Sequence, residues 1–156
     1  MSDNNIKSIL PVLLIIDFSK ENSMKILIVD DELVSRKKLQ KIMENFGDCT
    51  AVENGELAVQ AVQTALVEGQ SFNLILMDLI MPVMDGHEAL KRIRTLEKEH
   101  KIKPGHESIV MVISSLEDQK NVCKAFFHGQ ATSYLTKPVN KESLVKAMQE
   151  MKLLQP

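Results

Sequence analysis

Tryptophan is absent from the sequence, tyrosine occurs once, and there are only two cysteines. Cys49 and Cys123 lie far apart and neither belongs to a CxxC pair, which argues against a disulfide framework or a cysteine-based metal site. The four histidines also lack the spacing of a zinc site. We therefore expect two buried, reduced thiols in a cytoplasmic protein.

A strong charge of either sign is also missing. The chain has 19 Lys and Arg against 21 Asp and Glu, for a net charge of −2, so its electrostatics do not point to nucleic acid as a direct partner. Hydrophobic residues make up 44% and charged residues 26% of the 156 residues, as in an ordinary globular domain. We expect one domain with a single sizeable core.

No apolar run is long enough to span a membrane. The stretch ILPVLLII at 9–16 has about half of the roughly 20 apolar residues that a spanning helix needs, and it contains Pro11. Asp3 and a single Lys7 precede it, unlike the basic start of a secretory signal. We interpret it as neither a membrane span nor a signal peptide.

What the sequence does contain is a regular alternation of short apolar runs and helix-like stretches. Between the runs, apolar residues recur at helical spacing, as in Leu33, Leu39 and Ile42. Strands that alternate with helices predict right-handed crossovers and a doubly wound parallel sheet, an α/β fold with helices on both faces. The five predicted strands are KILIV (25–29), CTAV (49–52), NLILM (73–77), SIVMVI (108–113) and TSYL (132–135).

Polar side chains stand at the ends of four of these runs. Asp30 and Asp31 follow the first run, and Asp78 follows the third. Ser114 follows the fourth run, and Lys137 comes shortly after the fifth. In a parallel sheet, ligands bind beyond the carboxyl ends of the strands. We therefore predict a site at which three carboxylates, a hydroxyl and an ammonium group converge.

The acidic pair raises a question of its own, because the segment MKILIVDDE drives an apolar strand directly into adjacent negative charges. Carboxylates crowded at the edge of a core repel one another unless a cation lies between them. Three clustered carboxylates suit Mg²⁺, and a carboxylate beside a metal ion can attack a phosphoryl group to form an aspartyl phosphate. Lys137 and Ser114 would stabilise the phosphoryl oxygens.

Four motifs resemble those of the receiver domains of bacterial two-component response regulators, and the size is similar to that of the stand-alone chemotaxis type. The resemblance covers residues 24–154 in the family's order. Its central motif is highly specific, because it sets the spacing of the acceptor Asp, a Pro and an Asp-Gly pair. The motifs are VDD at 29–31, LILMDLIMPVMDG at 74–86, VISS at 112–115 and SYLTKPV at 133–139.

The resemblance implies a flavodoxin-like fold of five parallel strands in the order 2-1-3-4-5. It implies that Asp78 is the phosphoacceptor and that Asp30, Asp31 and Asp78 bind Mg²⁺. The backbone carbonyl of Ile80 is implied as a further metal ligand. Phosphotransfer would be self-catalysed, with slow autodephosphorylation, in a signalling protein that is not an enzyme.

For signalling, the resemblance implies that Ser114 is the switch hydroxyl, Tyr134 is the switch aromatic residue and Lys137 contacts the phosphoryl group. It also predicts a cis peptide bond between Lys137 and Pro138. Phosphorylation would draw Ser114 toward the new charge and let Tyr134 turn inward. The surface expected to change is that of the fourth helix, fifth strand and fifth helix, around residues 122–127, 133–135 and 144–148.

The expected partners are a histidine kinase or phosphotransfer protein as the phosphoryl donor and a downstream protein as the target. No segment follows the fifth helical pattern in this sequence, so we expect a single-domain regulator whose output passes through protein–protein contact. The alternative is a receiver domain excised from a larger hybrid kinase or multi-domain regulator.

Two stretches depart from the family pattern. Residues 1–23 have no counterpart, and we expect this N-terminal extension to be dispensable for phosphorylation. Its apolar part, 13–16, would pack on the surface or against a partner chain, or pair with an edge strand. The second stretch, LEKEHKIKPGHES at 96–108, is longer than usual. Its charges are expected to extend the third helix into solvent or to form a partner surface.

Three other functions compete with this interpretation. A phosphatase with an aspartyl nucleophile would carry a DxD motif after its first strand, where this chain has DDE. An FMN-binding protein of the same fold would need a hydroxyl- and glycine-rich phosphate loop there. A receiver-like scaffold that no longer accepts phosphate would lack Asp31, Asp78 or Lys137, and all three are present.

Overall fold

The computed structural model of the chain describes residues 23–115, 117, 119–128 and 131–155. The predictions made for the apolar stretch at 9–16 lie outside the described residues. Within them, no helix is both long enough and apolar enough to cross a lipid bilayer.

Five strands form one parallel sheet, and their spatial order is β2-β1-β3-β4-β5. The predicted strand order is therefore confirmed. The order reverses between β1 and β3, so the carboxyl ends of these two neighbours frame the crevice in which a doubly wound fold binds its ligands. The strands are β1 (Met24–Val29), β2 (Gly47–Val52), β3 (Leu74–Asp78), β4 (Ile109–Ser114) and β5 (Ser133–Thr136).

Five helices connect and cover the strands within the described residues. The first and fifth helices share one core cluster with one face of the sheet. The second, third and fourth helices share a second cluster with the other face. The predicted α/β architecture, with helices on both faces, is thus confirmed. The helices are α1 (Leu33–Met43), α2 (Gly55–Val67), α3 (Gly86–Glu99), α4 (Gln119–Phe127) and α5 (Lys141–Glu150).

The central strands read as continuous apolar runs because both of their faces are covered. All residues of β3 are buried. In β1, Ile26 and Ile28 join one core cluster while Leu27 and Val29 join the other, as the two-residue period of a strand requires. This packing places the end of β1 and the end of β3 rigidly beside each other.

Two details differ from the sequence-based expectations. Asp78 and Ser114 are the last residues of β3 and β4 rather than the first residues after them. The thiols also differ, because Cys49 is half-buried and Cys123 is exposed. Partial burial, together with the nearby acids Glu44 and Asp48, raises the pKa of Cys49 to about 11, so this thiol is unreactive at neutral pH.

The third helix takes in only residues 96–99 of the charged stretch 96–108, so the expected extension goes no further than its last turn. Helix α3 ends at Glu99, and Lys101 adopts a positive φ of 57°. The Ile102 amide donates to the Glu97 carbonyl at 2.9 Å, and the Ile102 side chain packs against the core. The helix ends here because Ile102, three residues after its last residue, gains by covering the core.

Candidate functional site

Three strand ends bring the predicted site residues together at the carboxyl edge of the sheet. Asp30 follows β1, Asp78 ends β3, and Lys137 follows β5. The Lys137 Nζ atom lies 3.1 Å from Asp30 Oδ2 and 3.2 Å from Asp78 Oδ2. A single ammonium group therefore bridges two carboxylates that would otherwise repel each other.

Asp30 is held by several donors at once. Its side chain is only 1% exposed. The Glu32 amide donates to Asp30 Oδ1 at 2.9 Å, and the Ser35 hydroxyl donates to Asp30 Oδ2 at 2.6 Å. The Arg36 guanidinium donates to the Asp30 carbonyl at 2.8 Å. A buried carboxylate needs such partners, and here they fix its orientation.

Asp78 is 8% exposed and accepts one backbone hydrogen bond, from the Ile80 amide to Oδ1 at 3.2 Å. Burial raises the pKa of Asp78, and this effect exceeds the opposing attraction of Lys137. Burial alone would lower the pKa of Lys137, but Asp78 and Asp30 together raise it above its ordinary value. Lys137 is therefore firmly charged, and a further cation at the site would stabilise the charged form of Asp78.

The Asp85-Gly86 pair of the central motif shapes the loop that follows Asp78. The Asp85 side chain caps α3 by accepting from the Glu88 amide at 2.9 Å. The Gly86 amide donates to the Leu79 carbonyl at 2.9 Å, and a Cβ atom on Gly86 would collide with the Asp78 carbonyl oxygen. Only glycine permits this close approach, which explains why the motif demands it.

The donor set fits a hard divalent cation. Asp30, Asp31 and Asp78 each offer a carboxylate oxygen, and these oxygens lie within 4.8 Å of one another. Asp31 is exposed while the other two are buried, so an ion could keep water ligands on the open side. Mg²⁺ prefers a few carboxylate oxygens together with waters and phosphate oxygens. The predicted contribution of the Ile80 carbonyl stays a prediction.

Ser114 and Tyr134 lie farther along the same edge of the sheet. The neighbours Asp78 and Ile113 are in register, so the buried Ser114 is one residue nearer the carboxyl edge than Asp78. Tyr134 lies on the edge strand β5 and is 53% exposed. Its ring meets Phe126 of α4 edge-on, with centroids 5.9 Å apart and an interplanar angle of 83°.

The bond between Lys137 and Pro138 is cis, as predicted. Sequence reasoning missed Ser35, which donates the shortest hydrogen bond at the site. Its position in the first turn of the helix that follows the acidic pair was a usable signal, because that turn faces back toward the strand end.

The chain belongs to the response regulator receiver domain family, whose model matches residues 26–149. It is a receiver domain of two-component signalling, related both to stand-alone receivers and to receivers embedded in kinases.

Relatives of both kinds support this assignment. The two-component response regulator ORR41 of rice (Oryza sativa subsp. japonica) is 36% identical over 124 residues, which cover 78% of this chain and 88% of that protein. The sensor protein GacS of Pseudomonas syringae pv. syringae is 32% identical over 125 residues, which cover 80% of this chain but only 13% of that protein. The chain thus spans a small fraction of its kinase relatives.

Solved structures agree on the fold. The chemotaxis protein CheY4 of Vibrio cholerae is 26% identical, with a TM-score of 0.68 over 82% of this chain and 98% of that one. The receiver domain of the histidine kinase CKI1 from Arabidopsis thaliana, complexed with Mg²⁺ and BeF3⁻, has a TM-score of 0.72 at 23% identity. That match covers 84% of this chain and 91% of the CKI1 chain.

Proposed function

We propose that Asp78 accepts a phosphoryl group from a histidine kinase or phosphotransfer protein in a Mg²⁺-dependent reaction. One observation carries the proposal, namely three carboxylates and a lysine ammonium gathered at the end of β3. A carboxylate nucleophile, a cation site and a mobile positive charge are the parts that phosphoryl transfer needs.

In the transfer, an Asp78 carboxylate oxygen forms the bond to phosphorus as the bond between phosphorus and the donor's leaving atom breaks. Asp30, Asp31 and Asp78 would hold the Mg²⁺ ion, which supplies neutralisation of the phosphoryl charge. Lys137 is within 3.2 Å of Asp78 Oδ2, so its ammonium group can move to the phosphoryl oxygens by a small rotation. Ser114 donates its hydroxyl hydrogen to another of them.

Apolar side chains at the rim of the site support a protein donor. Four large apolar residues that follow Asp31 and Asp78 closely in the sequence are exposed, two in the first turn of α1 and two in the loop after β3. Exposed apolar side chains around a site can mark a surface that another protein covers. A donor protein that covers them would also exclude water from the reacting atoms. These residues are Leu33, Val34, Ile80 and Val83.

Incubation with acetyl phosphate and Mg²⁺, followed by intact-mass measurement, tests the proposal. We expect the protein to gain one phosphoryl group with Mg²⁺ and none when EDTA removes the metal. A protein that stays unmodified with Mg²⁺ would not be a working receiver.

We propose that residues 24–154 form the functional unit, in a cytoplasmic regulator that passes its signal to a protein target. Single-domain action is the first choice because the rice regulator is matched over most of its length. The alternative, a piece of a longer hybrid kinase or regulator, is favoured by the sensor kinase relatives, of which this chain spans only a small part.

Asp31→Ala is expected to weaken Mg²⁺ binding even without phosphate, because it removes one of three converging carboxylate oxygens. Changes around metal ligands reduce affinity by about 10- to 100-fold, and loss of a direct ligand should fall in or above that range. Calorimetric titration with MgCl₂ measures the affinity. Asp48→Ala removes an exposed carboxylate at the amino-terminal end of β2 and serves as the control. Equal affinities for wild type and Asp31→Ala would contradict the assignment.

The fluorescence of Tyr134 is expected to change when beryllofluoride and Mg²⁺ mimic the acyl phosphate. It is the only tyrosine in a chain without tryptophan, and its exposed ring rests against Phe126. If Ser114 moves toward the phosphoryl mimic, the ring gains room to turn inward and its emission changes.

Ser114→Ala provides the comparison, because it removes the hydroxyl and leaves the tyrosine in place. The emission change should be much smaller in this variant. An identical change in wild type and Ser114→Ala would remove the proposed link between the two residues.

A further inference from the structure

We propose that Ser35 is a positioning residue that keeps the metal-binding carboxylate of Asp30 in place, both while Lys137 pairs with it and after Lys137 leaves it. The inference rests on the proposed function, since it concerns the same reaction. Ser35 does not touch the phosphoryl group. It acts through Asp30, to which its hydroxyl donates at 2.6 Å.

The donors around Asp30 differ in whether they stay in place during the reaction. Oδ1 accepts from the Glu32 amide at 2.9 Å, which is part of the backbone and stays in place. Oδ2 accepts from the Ser35 hydroxyl at 2.6 Å and is paired with Lys137 Nζ at 3.1 Å. The same Nζ atom lies 3.2 Å from Asp78 Oδ2. Lys137 is therefore a shared donor, while Ser35 is committed to Asp30.

Phosphorylation changes what Lys137 binds. A phosphoryl group on Asp78 brings roughly −1.5 to −2 of charge, by analogy with other phosphorylated side chains, and it attracts the ammonium group away from Asp30. Asp30 is only 1% exposed, so bulk water cannot replace the lost donor. Without Ser35, Oδ2 would then face the buried interior without a protein hydrogen bond, and the carboxylate would rotate away from the metal.

The helix that carries Ser35 holds its hydroxyl in a fixed place. Helix α1 has no side-chain cap at Glu32, and the Ser35 hydroxyl bonds the strand end rather than the helix terminus. Leu39 anchors the helix in the core, and Arg36 ties its first turn to the Asp30 carbonyl at 2.8 Å. The hydroxyl is thus pre-positioned, as an outer partner of a metal ligand must be.

Calorimetric titration of Ser35→Ala with MgCl₂, in the absence of any phosphoryl donor, tests the inference. We expect affinity to fall about tenfold, as for loss of other outer partners of metal ligands. Ser35→Thr, which retains the hydroxyl, should bind Mg²⁺ like wild type. At saturating Mg²⁺, Ser35→Ala should still be phosphorylated more slowly than wild type, because Lys137 then becomes the only side-chain donor to Asp30 Oδ2 within the part of the chain that the structure describes.

Ser143→Ala is the matched control. Ser143 also lies in the first turn of a helix, where it completes the capping box of α5 with Asn140, and it is remote from the acidic cluster in the sequence. Its loss should lower thermal stability without changing Mg²⁺ affinity. A weakened Mg²⁺ affinity in Ser143→Ala equal to that of Ser35→Ala would show a general effect of destabilisation and overturn the inference.

Two further outcomes separate this inference from the proposed function. Wild-type Mg²⁺ affinity in Ser35→Ala, or an equal loss in Ser35→Thr, would overturn the role of the Ser35 hydroxyl while leaving phosphorylation of Asp78 intact. A wild-type protein that binds Mg²⁺ but gains no phosphoryl group would instead overturn the proposed function, and the titrations would still report on Ser35.

Discussion

Asp78→Asn is expected to gain no phosphoryl group from acetyl phosphate and Mg²⁺, whereas the wild-type protein gains one. The amide has nearly the shape of the carboxylate, but it lacks the negative oxygen that attacks phosphorus. The substitution also removes one of the three carboxylate charges that would bind the cation. Intact-mass measurement of both proteins under the same conditions gives the result directly.

Asp85→Asn is the matched control for this experiment. Asp85 lies in the same loop, is exposed, and caps α3 through the Glu88 amide. Asparagine caps helices as well as aspartate does, so this variant should fold and be phosphorylated like wild type. If Asp78→Asn is phosphorylated to the wild-type extent, the acceptor is another residue.

Lys137 should keep the Asp78→Asn protein folded. Its ammonium group pairs with Asp30 as well as with Asp78, so removal of one carboxylate leaves a counter-charge in place. Burial raises the pKa of Asp78, which means that the folded state disfavours this charge, and a neutral amide relieves that penalty. Thermal unfolding should therefore show little loss of stability.

The convergence of Asp30, Asp78 and Lys137 could be predicted from sequence because it follows from the strands alone. Each residue lies at the end of an apolar run, and the runs pair in parallel. Once both faces of a parallel sheet are covered, the carboxyl ends of its strands meet at one edge. A boundary error of one residue, as at Asp78, does not move a side chain away from that edge.

Contacts that depend on how a helix or loop is turned could not be predicted in the same way. The bond from Ser35 to Asp30 requires that α1 begins at Leu33 and that its first turn faces the site. The helical period of the apolar residues predicts which face is buried, but it does not specify which polar group the first turn meets.

The last turn of α3 shows the same limit. The charged residues of the stretch 96–108, which begins in this turn, predicted a solvated extension, whereas Glu97 is 2% exposed. Glu97 accepts from the Ser108 amide at 2.8 Å and from Arg94 at 2.8 Å, and Arg94 also donates to the Ser108 carbonyl at 3.0 Å. Charged side chains on a helix usually lie exposed to solvent. Such a side chain is buried only when partners from another segment form hydrogen bonds or an ion pair with it.

Arg94→Met is accordingly expected to reduce the free energy of unfolding by about 3 kcal/mol, the lower end of the range for breaking a buried ion pair. The change leaves the buried carboxylate of Glu97 without its guanidinium partner, although the Ser108 amide still donates to it at 2.8 Å. It also removes the hydrogen bond from Arg94 to the Ser108 carbonyl, just before β4. Methionine retains much of the arginine side chain's length, so packing changes little. Urea unfolding followed by circular dichroism measures the loss.

Arg92→Met is the matched control, because Arg92 lies on the same helix and pairs with Glu88 at 2.9 Å. That pair is solvent-exposed, with side chains 54% and 47% exposed, and an exposed pair of this spacing contributes only about 0.5 kcal/mol. Adding Glu97→Gln to Arg94→Met should restore part of the lost stability, because the amide still accepts from the Ser108 amide but carries no buried charge. Equal losses in Arg92→Met and Arg94→Met, or no recovery in the double variant, would show that the buried charge of Glu97 is not what makes Arg94 necessary.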